Sequence, residues 1–137
     1  MNIKTFTIAA LAFGLYLTAR AEDSAAGSLP AASTKTGVTY ATDIKPIFDH
    51  SCVKCHSGEK PKAHLKLDAL EGVLKGGKDG KILKPGDSAN SVVVKAVAHA
   101  TEDEDDYMPP VQNKAHIGPL KTEEIALLRA WIDQGAK

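Results

Sequence analysis

Cysteine is scarce in this chain: two in 137 residues, Cys52 and Cys55. That excludes a fold held by a disulfide framework. A bridge closing so short a loop would also stabilise little. Aromatics are few as well. Beyond residue 21 only Tyr40, Phe48, Tyr107 and Trp131 remain, which leaves a thin core for a domain of roughly 100 residues. Formal net charge is zero, which argues against nucleic acid as a partner. No stretch alternates apolar and polar residues as a strand would, and no internal repeat is visible. The expected class is all-α with long loops. No acid–base constellation marks a catalytic centre, so the sequence does not point to an enzyme.

What is present begins with an export signal. Lys4 supplies a short positive region, Phe6 to Leu17 is apolar, and Ala19-Arg20-Ala21 places small residues at both recognition positions of a cleavage site. This predicts a secretory signal peptide over residues 1–21. An uncleaved anchor is the rival, but the apolar run is shorter than the ~20 residues that cross a bilayer. No cysteine near the cut suggests a lipid anchor. The expectation is a periplasmic or otherwise exported protein without stable membrane insertion after cleavage. Residues 22–37, rich in Ala, Ser, Gly and Thr, read as a flexible leader. Residues 38–137 read as one domain.

Within that domain Thr42 or Asp43 is expected to cap a short helix with Ile44, Ile47 and Phe48 on one face. A further short helix is expected around 68–74. Another is expected over 89–99, with Val92, Val93, Val97 and His99 on its buried side. Thr122 is expected to cap the last helix, whose stripe is Ile125, Leu127, Leu128, Trp131 and Ile132. Gly135 is expected to end it as a left-handed cap.

The first helix runs into Cys52-Val53-Lys54-Cys55-His56. Cys-x-x-Cys-His is the attachment signature of a c-type haem. Two thiols three residues apart can each form a thioether to one porphyrin, and the next residue sets an imidazole at the iron. A thioredoxin-like thiol pair would need a βαβ context, and zinc would need a second, regularly spaced ligand pair. Neither is visible. Covalent haem would also supply apolar bulk that the sparse aromatics do not.

A haem iron that carries electrons takes two axial ligands. His with Met is the pairing that raises the reduction potential of c-type cytochromes. Met1 leaves with the signal, so Met108 is the only methionine of the mature chain. It stands before Pro109 and Pro110, which cannot continue a helix. Competing sixth ligands are His50, His64, His99 and His116. Arg129 and Trp131 are candidates to reach a haem propionate, against solvent exposure and core packing respectively.

The order of motifs is more specific than any one of them. A helix precedes Cys52-Val53-Lys54-Cys55-His56. Then come Gly76-Gly77, Pro85-Gly86-Asp87 with Ser91, Met108-Pro109-Pro110, and Glu123-Glu124-Ile125 with Leu128, Trp131-Ile132 and Gly135-Ala136. From about Tyr40 to Ala136 this resembles the planctomycete-type cytochrome c domain of the class I cytochrome c superfamily. The resemblance implies one covalent haem c, with helices packed around it and the first and last helices crossing nearby. It assigns Cys52 and Cys55 to the thioethers, His56 to the proximal position and Met108 to the distal one.

The expected function is single-electron transfer between redox partner proteins. A haem-based sensor with a displaceable Met108 is the alternative. The acidic run Glu102–Asp106 and the lysines Lys54, Lys60, Lys62 and Lys66 are rival docking surfaces, with a solvated loop as the plain reading of the acidic run.

Overall fold

The computed structural model describes residues 28–137. The expected signal peptide, and the first part of the expected leader, lie outside the described residues. Thr39 opens the first helical segment. It is extended, its hydroxyl accepts from Thr42 N, and its own N–H donates to Asp43 Oδ2 at 2.9 Å. This reciprocal box puts the cap at Thr39, not at the expected Thr42 or Asp43. Asp43 turns its carboxylate back instead of leading the helix. A π-helical turn, Tyr40–Ile44, passes directly into α1, Lys45–Ser51. Pro46 sits in the first turn of α1, where a missing N–H costs nothing. Ile44, Ile47 and Phe48 are buried together, as their spacing requires.

Short helices follow, separated by long loops. Helix α2 spans Leu70–Lys75 and buries Val73. It stops at Gly76, whose φ is 85° and where an added Cβ would stand 2.2 Å from Gly80 O. Only glycine fits both demands. Helix α3 spans Val92–Val97, shorter than the expected 89–99. Ser91 caps nothing, because its hydroxyl donates to Asp87 O and accepts from Lys84 N, both at 2.9 Å. His99 turns left-handed with φ 52° and ends the helical run. Val93 and Val97 are buried as expected, and Val92, 57% exposed, lines the cavity described below.

Helix α4 spans Thr122–Asp133. Its cap is Lys121, whose N–H donates to Glu124 Oε2 at 2.8 Å, so Thr122 is the first helical residue and not the cap. Glu123 and Glu124 complement the positive end of the helix. Ile125, Leu128, Trp131 and Ile132 are buried. The helix closes as a Schellman motif. Gly135 N donates to Ile132 O at 2.9 Å and Ala136 N to Trp131 O at 3.0 Å, with Gly135 left-handed at φ 102°.

The described residues are helical with no strand; Gly77 and Gly80 form an isolated bridge. Trp131, Phe48, Ile44, Leu128 and Ile132 are the largest wholly buried side chains. The Tyr40 ring lies between them, 6.0 Å from Trp131 and 6.3 Å from Phe48. Its hydroxyl donates to Leu67 O at 3.0 Å. Three aromatics thus join α4 to α1 and to the loop that follows the cysteine motif.

The described part of the expected leader has partners. Residues 28–37 lie along α4 and are tied to it. Ser33 N donates to Ala126 O at 2.9 Å, Gln134 Nε2 to Lys35 O at 2.8 Å, and Arg129 Nη1 to Pro30 O. The physical reason is that Ala126 O and Arg129 of α4, with Gln134 just past its end, supply polar partners to this backbone, while Leu29 packs on the core. Among the described residues no helix is long and apolar enough to cross a membrane.

Candidate functional site

Helix α1 ends by sharing one carbonyl: Phe48 O accepts from Cys52 N at 2.8 Å and from Val53 N at 3.0 Å. The motif then winds through one more turn. Cys52 O accepts from Cys55 N at 3.1 Å and His56 N at 3.0 Å. The next loop folds back over it, with Lys62 N on Cys55 O at 3.0 Å and Leu67 N on His56 O at 2.8 Å. Cys52, Cys55 and His56 are therefore fixed from both sides by backbone hydrogen bonds. Both thiols are free.

A second wall of the site is Met108. Its N–H donates to Ala96 O at 3.0 Å, which hangs the segment from the end of α3. The Met108–Pro109 peptide is cis. Beyond it Asn113 anchors the loop: its Nδ2 donates to Pro110 O and Ile117 O, and its Oδ1 accepts from Ile117 N, each at 2.9 Å.

Between these walls lies a cavity of about 460 Å³. Cys52, Cys55, His56 and Met108 all line it. Leu65, Leu67, Ile82, Val93 and Val97 supply much of the apolar remainder. That size falls in the range of roughly 300–1,000 Å³ usual for small-molecule and cofactor sites. The sequence reading missed four polar lining residues, Ser51, Asp79, Asp106 and Asn113. Asn113 left one signal, a turn-forming residue shortly after two prolines.

The electrostatics are those of a dry site. Burial pushes the Cys52 thiol up to about 12, with the Cys55 and Glu124 charges adding to the rise. A thiol that stays protonated at neutral pH is a poor nucleophile. This counts against a thiol-redox pair. Among the described residues no three of His, Cys, Asp and Glu converge as a metal site, so the zinc reading has no support either. Burial pushes His56 below the ordinary imidazole value, partly opposed by the backbone of Lys62 and Leu65. A neutral imidazole is the form that binds a metal. His56 Nδ1 is buried without a hydrogen bond of good geometry. An apolar cavity lined by two thiols, an imidazole and a thioether fits a flat, apolar, iron-bearing macrocycle.

The rival ligands stand elsewhere. His50, His64, His99 and His116 do not line the cavity. His50 is 56% exposed, with Nδ1 on Pro46 O at 2.7 Å and Nε2 3.2 Å from Glu124. His64 and His116 are exposed. The propionate expectation for Trp131 and Arg129 meets neither residue in the cavity wall. Trp131 is wholly buried and donates Nε1–H to Lys137 O at 3.0 Å. Arg129 is spent on Pro30 O and on Ser88 Oγ, the latter at 3.0 Å, and so is not a solvent residue. Ser88 in turn donates its N–H and hydroxyl to Asp133 at 2.8 and 2.9 Å. That network fastens α4 to the turn before α3.

No curated protein and no solved structure matches the chain. Residues 52–112 match the family model described as Planctomycete cytochrome C. The matched stretch runs from the first thiol past Met108, so it contains both walls of the cavity. A cytochrome c domain implies haem c, and residues 52–112, which carry Cys52, Cys55, His56 and Met108, are similar to the planctomycete cytochrome c family.

Proposed function

We propose that the chain is an exported monohaem cytochrome c that carries single electrons between protein partners. The observation that supports this most directly is one apolar cavity lined at once by Cys52, Cys55, His56 and Met108. Cys52 and Cys55 hold the macrocycle as thioethers, His56 is the proximal ligand and Met108 the distal one. Haem c supplies a one-electron Fe(III)/Fe(II) couple. The chain's part is to exclude water, through the valines of α3 and the leucines around Leu67, and to keep a soft sulfur in place. Sulfur ligation favours the reduced state. With both axial positions filled the protein is a carrier and not a catalyst. The fold is then class I-like, with short helices packed around one haem.

Export follows from the signal expected at residues 1–21 and matches the compartment in which c-type haem is assembled. The partners are redox proteins of complementary surface. Lys54, Lys60, Lys62 and Lys66 are exposed around the cysteine motif, and the acidic run stands near Met108.

A redox titration followed by optical spectroscopy tests the reading. The matured protein should show a c-type spectrum, one reversible one-electron wave and a sulfur-to-Fe(III) charge-transfer band. In Met108→Ala the band should vanish and the potential should fall. A band that survives the substitution removes Met108 from the iron. Rapid carbon monoxide binding by the reduced wild-type protein would turn the reading toward a sensor.

A further inference from the structure

The residue before Met108 does not face the cavity. Asp106 and Met108 both line it, whereas the Tyr107 ring lies parallel to the His99 ring, 4.5 Å between centroids and 6° between planes. His99 is the second residue past α3. It holds a left-handed backbone at φ 52°, unusual for a residue with a side chain. Its Nε2 is buried and has no hydrogen-bond partner. A strained backbone and an orphaned buried nitrogen both cost free energy. They persist where the surroundings over-determine a residue.

One carbonyl joins the two halves of this arrangement. Ala96 O accepts from His99 N at 3.2 Å and from Met108 N at 3.0 Å. The ring stack therefore lies across a backbone joint that ends at Met108 itself. The acidic run builds the span between. Thr101 Oγ1 donates to Asp103 O and Asp103 Oδ1 accepts from Asp105 N, both at 2.9 Å. Tyr107 N closes on Glu104 O at 3.0 Å. These bonds fold the acidic residues into a turn that delivers the Tyr107 ring to His99.

We propose that the His99–Tyr107 stack is a latch that seats Met108 against the cavity. It rests on the reading of Met108 as the distal ligand. His99 and Tyr107 are positioning residues: they hold the upstream side of the methionine, while Asn113 holds the downstream loop. A ligand held on both sides leaves the iron rarely, so the latch sets how fast an external molecule can take the sixth position. The acidic run serves as its spacer.

The test uses the matured, haem-loaded protein and carbon monoxide as the probe. The readouts are CO association to the reduced form, the sulfur-to-Fe(III) band, the midpoint potential and thermal melting. Tyr107→Ala and His99→Ala should each speed CO association roughly three- to tenfold, the equilibrium weight of one aromatic stack. Each should weaken the band, and the double variant should add little to either single one. Tyr107→Phe keeps the flat ring and should retain wild-type rates and band. If Tyr107→Ala fails to fold, Tyr107→Leu keeps bulk without planarity and carries the same expectation. Unchanged CO rates in the Ala variants, beside an intact wild-type band, would overturn the latch. So would Tyr107→Phe behaving like Tyr107→Ala. A wild-type protein without the band would sink the ligand assignment first, and the latch with it.

Discussion

The two walls of the cavity are built by different means. The proximal wall is contiguous: Cys52, Cys55 and His56 fall within one turn, and local hydrogen bonds accepted by Phe48 O and Cys52 O set their spacing. The distal wall is assembled. Met108 stands 52 residues after His56, in a segment without regular structure, and it depends on Ala96 O, the His99–Tyr107 stack and the Asn113 anchor. A ligand written into a helical turn is fixed once the helix forms. A ligand brought by a loop is fixed only as well as its tertiary contacts. On the proposed reading, changes on the proximal side should remove the cofactor, and changes on the distal side should alter its properties.

The largest expected effect breaks the proximal wall. His56→Ala should leave almost no stably matured haem protein, read as the ratio of haem to protein absorbance after co-expression with attachment machinery. Recovery of a full complement of low-spin haem would show that the contiguous motif is less decisive than the fold. Next comes the core that carries both walls. Trp131→Ala empties a wholly buried site and should cost about 3–5 kcal/mol in chemical denaturation. A cost below about 1 kcal/mol would mean that α4 does not brace the site.

Tyr40→Phe sharpens the comparison at smaller scale. It removes the hydroxyl that donates to Leu67 O and leaves the ring packing intact. The expected loss is about 1 kcal/mol. Amide exchange should quicken at Leu67, whose N–H holds His56 O, and stay unchanged at Met108. Equal acceleration on both walls would contradict their independence.

The smallest effect lies away from the cavity. The Lys35 hydrogen bond, helped by the Thr39 amide and the Thr42 hydroxyl, holds the Asp43 carboxyl down to about 2. A depressed folded-state pKa contributes stability above the unfolded value of about 3.9, and that contribution fades as pH falls toward 2. The Lys35 ammonium is about half exposed although the Asp43 side chain is only 8% exposed, and screening at the lysine keeps the effect small. Protection of Ser33 N, which is bonded to Ala126 O, relative to its intrinsic exchange rate should fall over that window in the wild type. In Asp43→Asn the pH dependence should disappear while both walls stay unaffected.

Several local features were legible because they are local. The stripe of α4 and its Gly135 cap follow from side-chain periodicity and one left-handed position. The core role of Ile44, Ile47 and Phe48 follows from their i, i+3, i+4 spacing. Features that depend on a distant partner were not. The Thr39 cap needed Asp43 to turn backward. The length of α3 hinged on Ser91 spending its hydroxyl on Asp87 and Lys84. Residues 28–37 looked loose because nothing within them shows that Gln134 and Arg129 would hold their carbonyls. His99 gave no sign that it would meet Tyr107.

By itself the sequence determined the chemistry offered: two thiols and an imidazole in one turn, one methionine left after the expected cleavage, and helices too poor in aromatics to fill a core. Attachment spacing and periodicity are properties of consecutive residues, so they can be read without a fold. The tertiary structure alone decided that Met108, and not one of four other histidines, lines the same cavity as His56. That choice depends on which loops close on which carbonyls across tens of residues, and such closures are set by packing that no single segment contains.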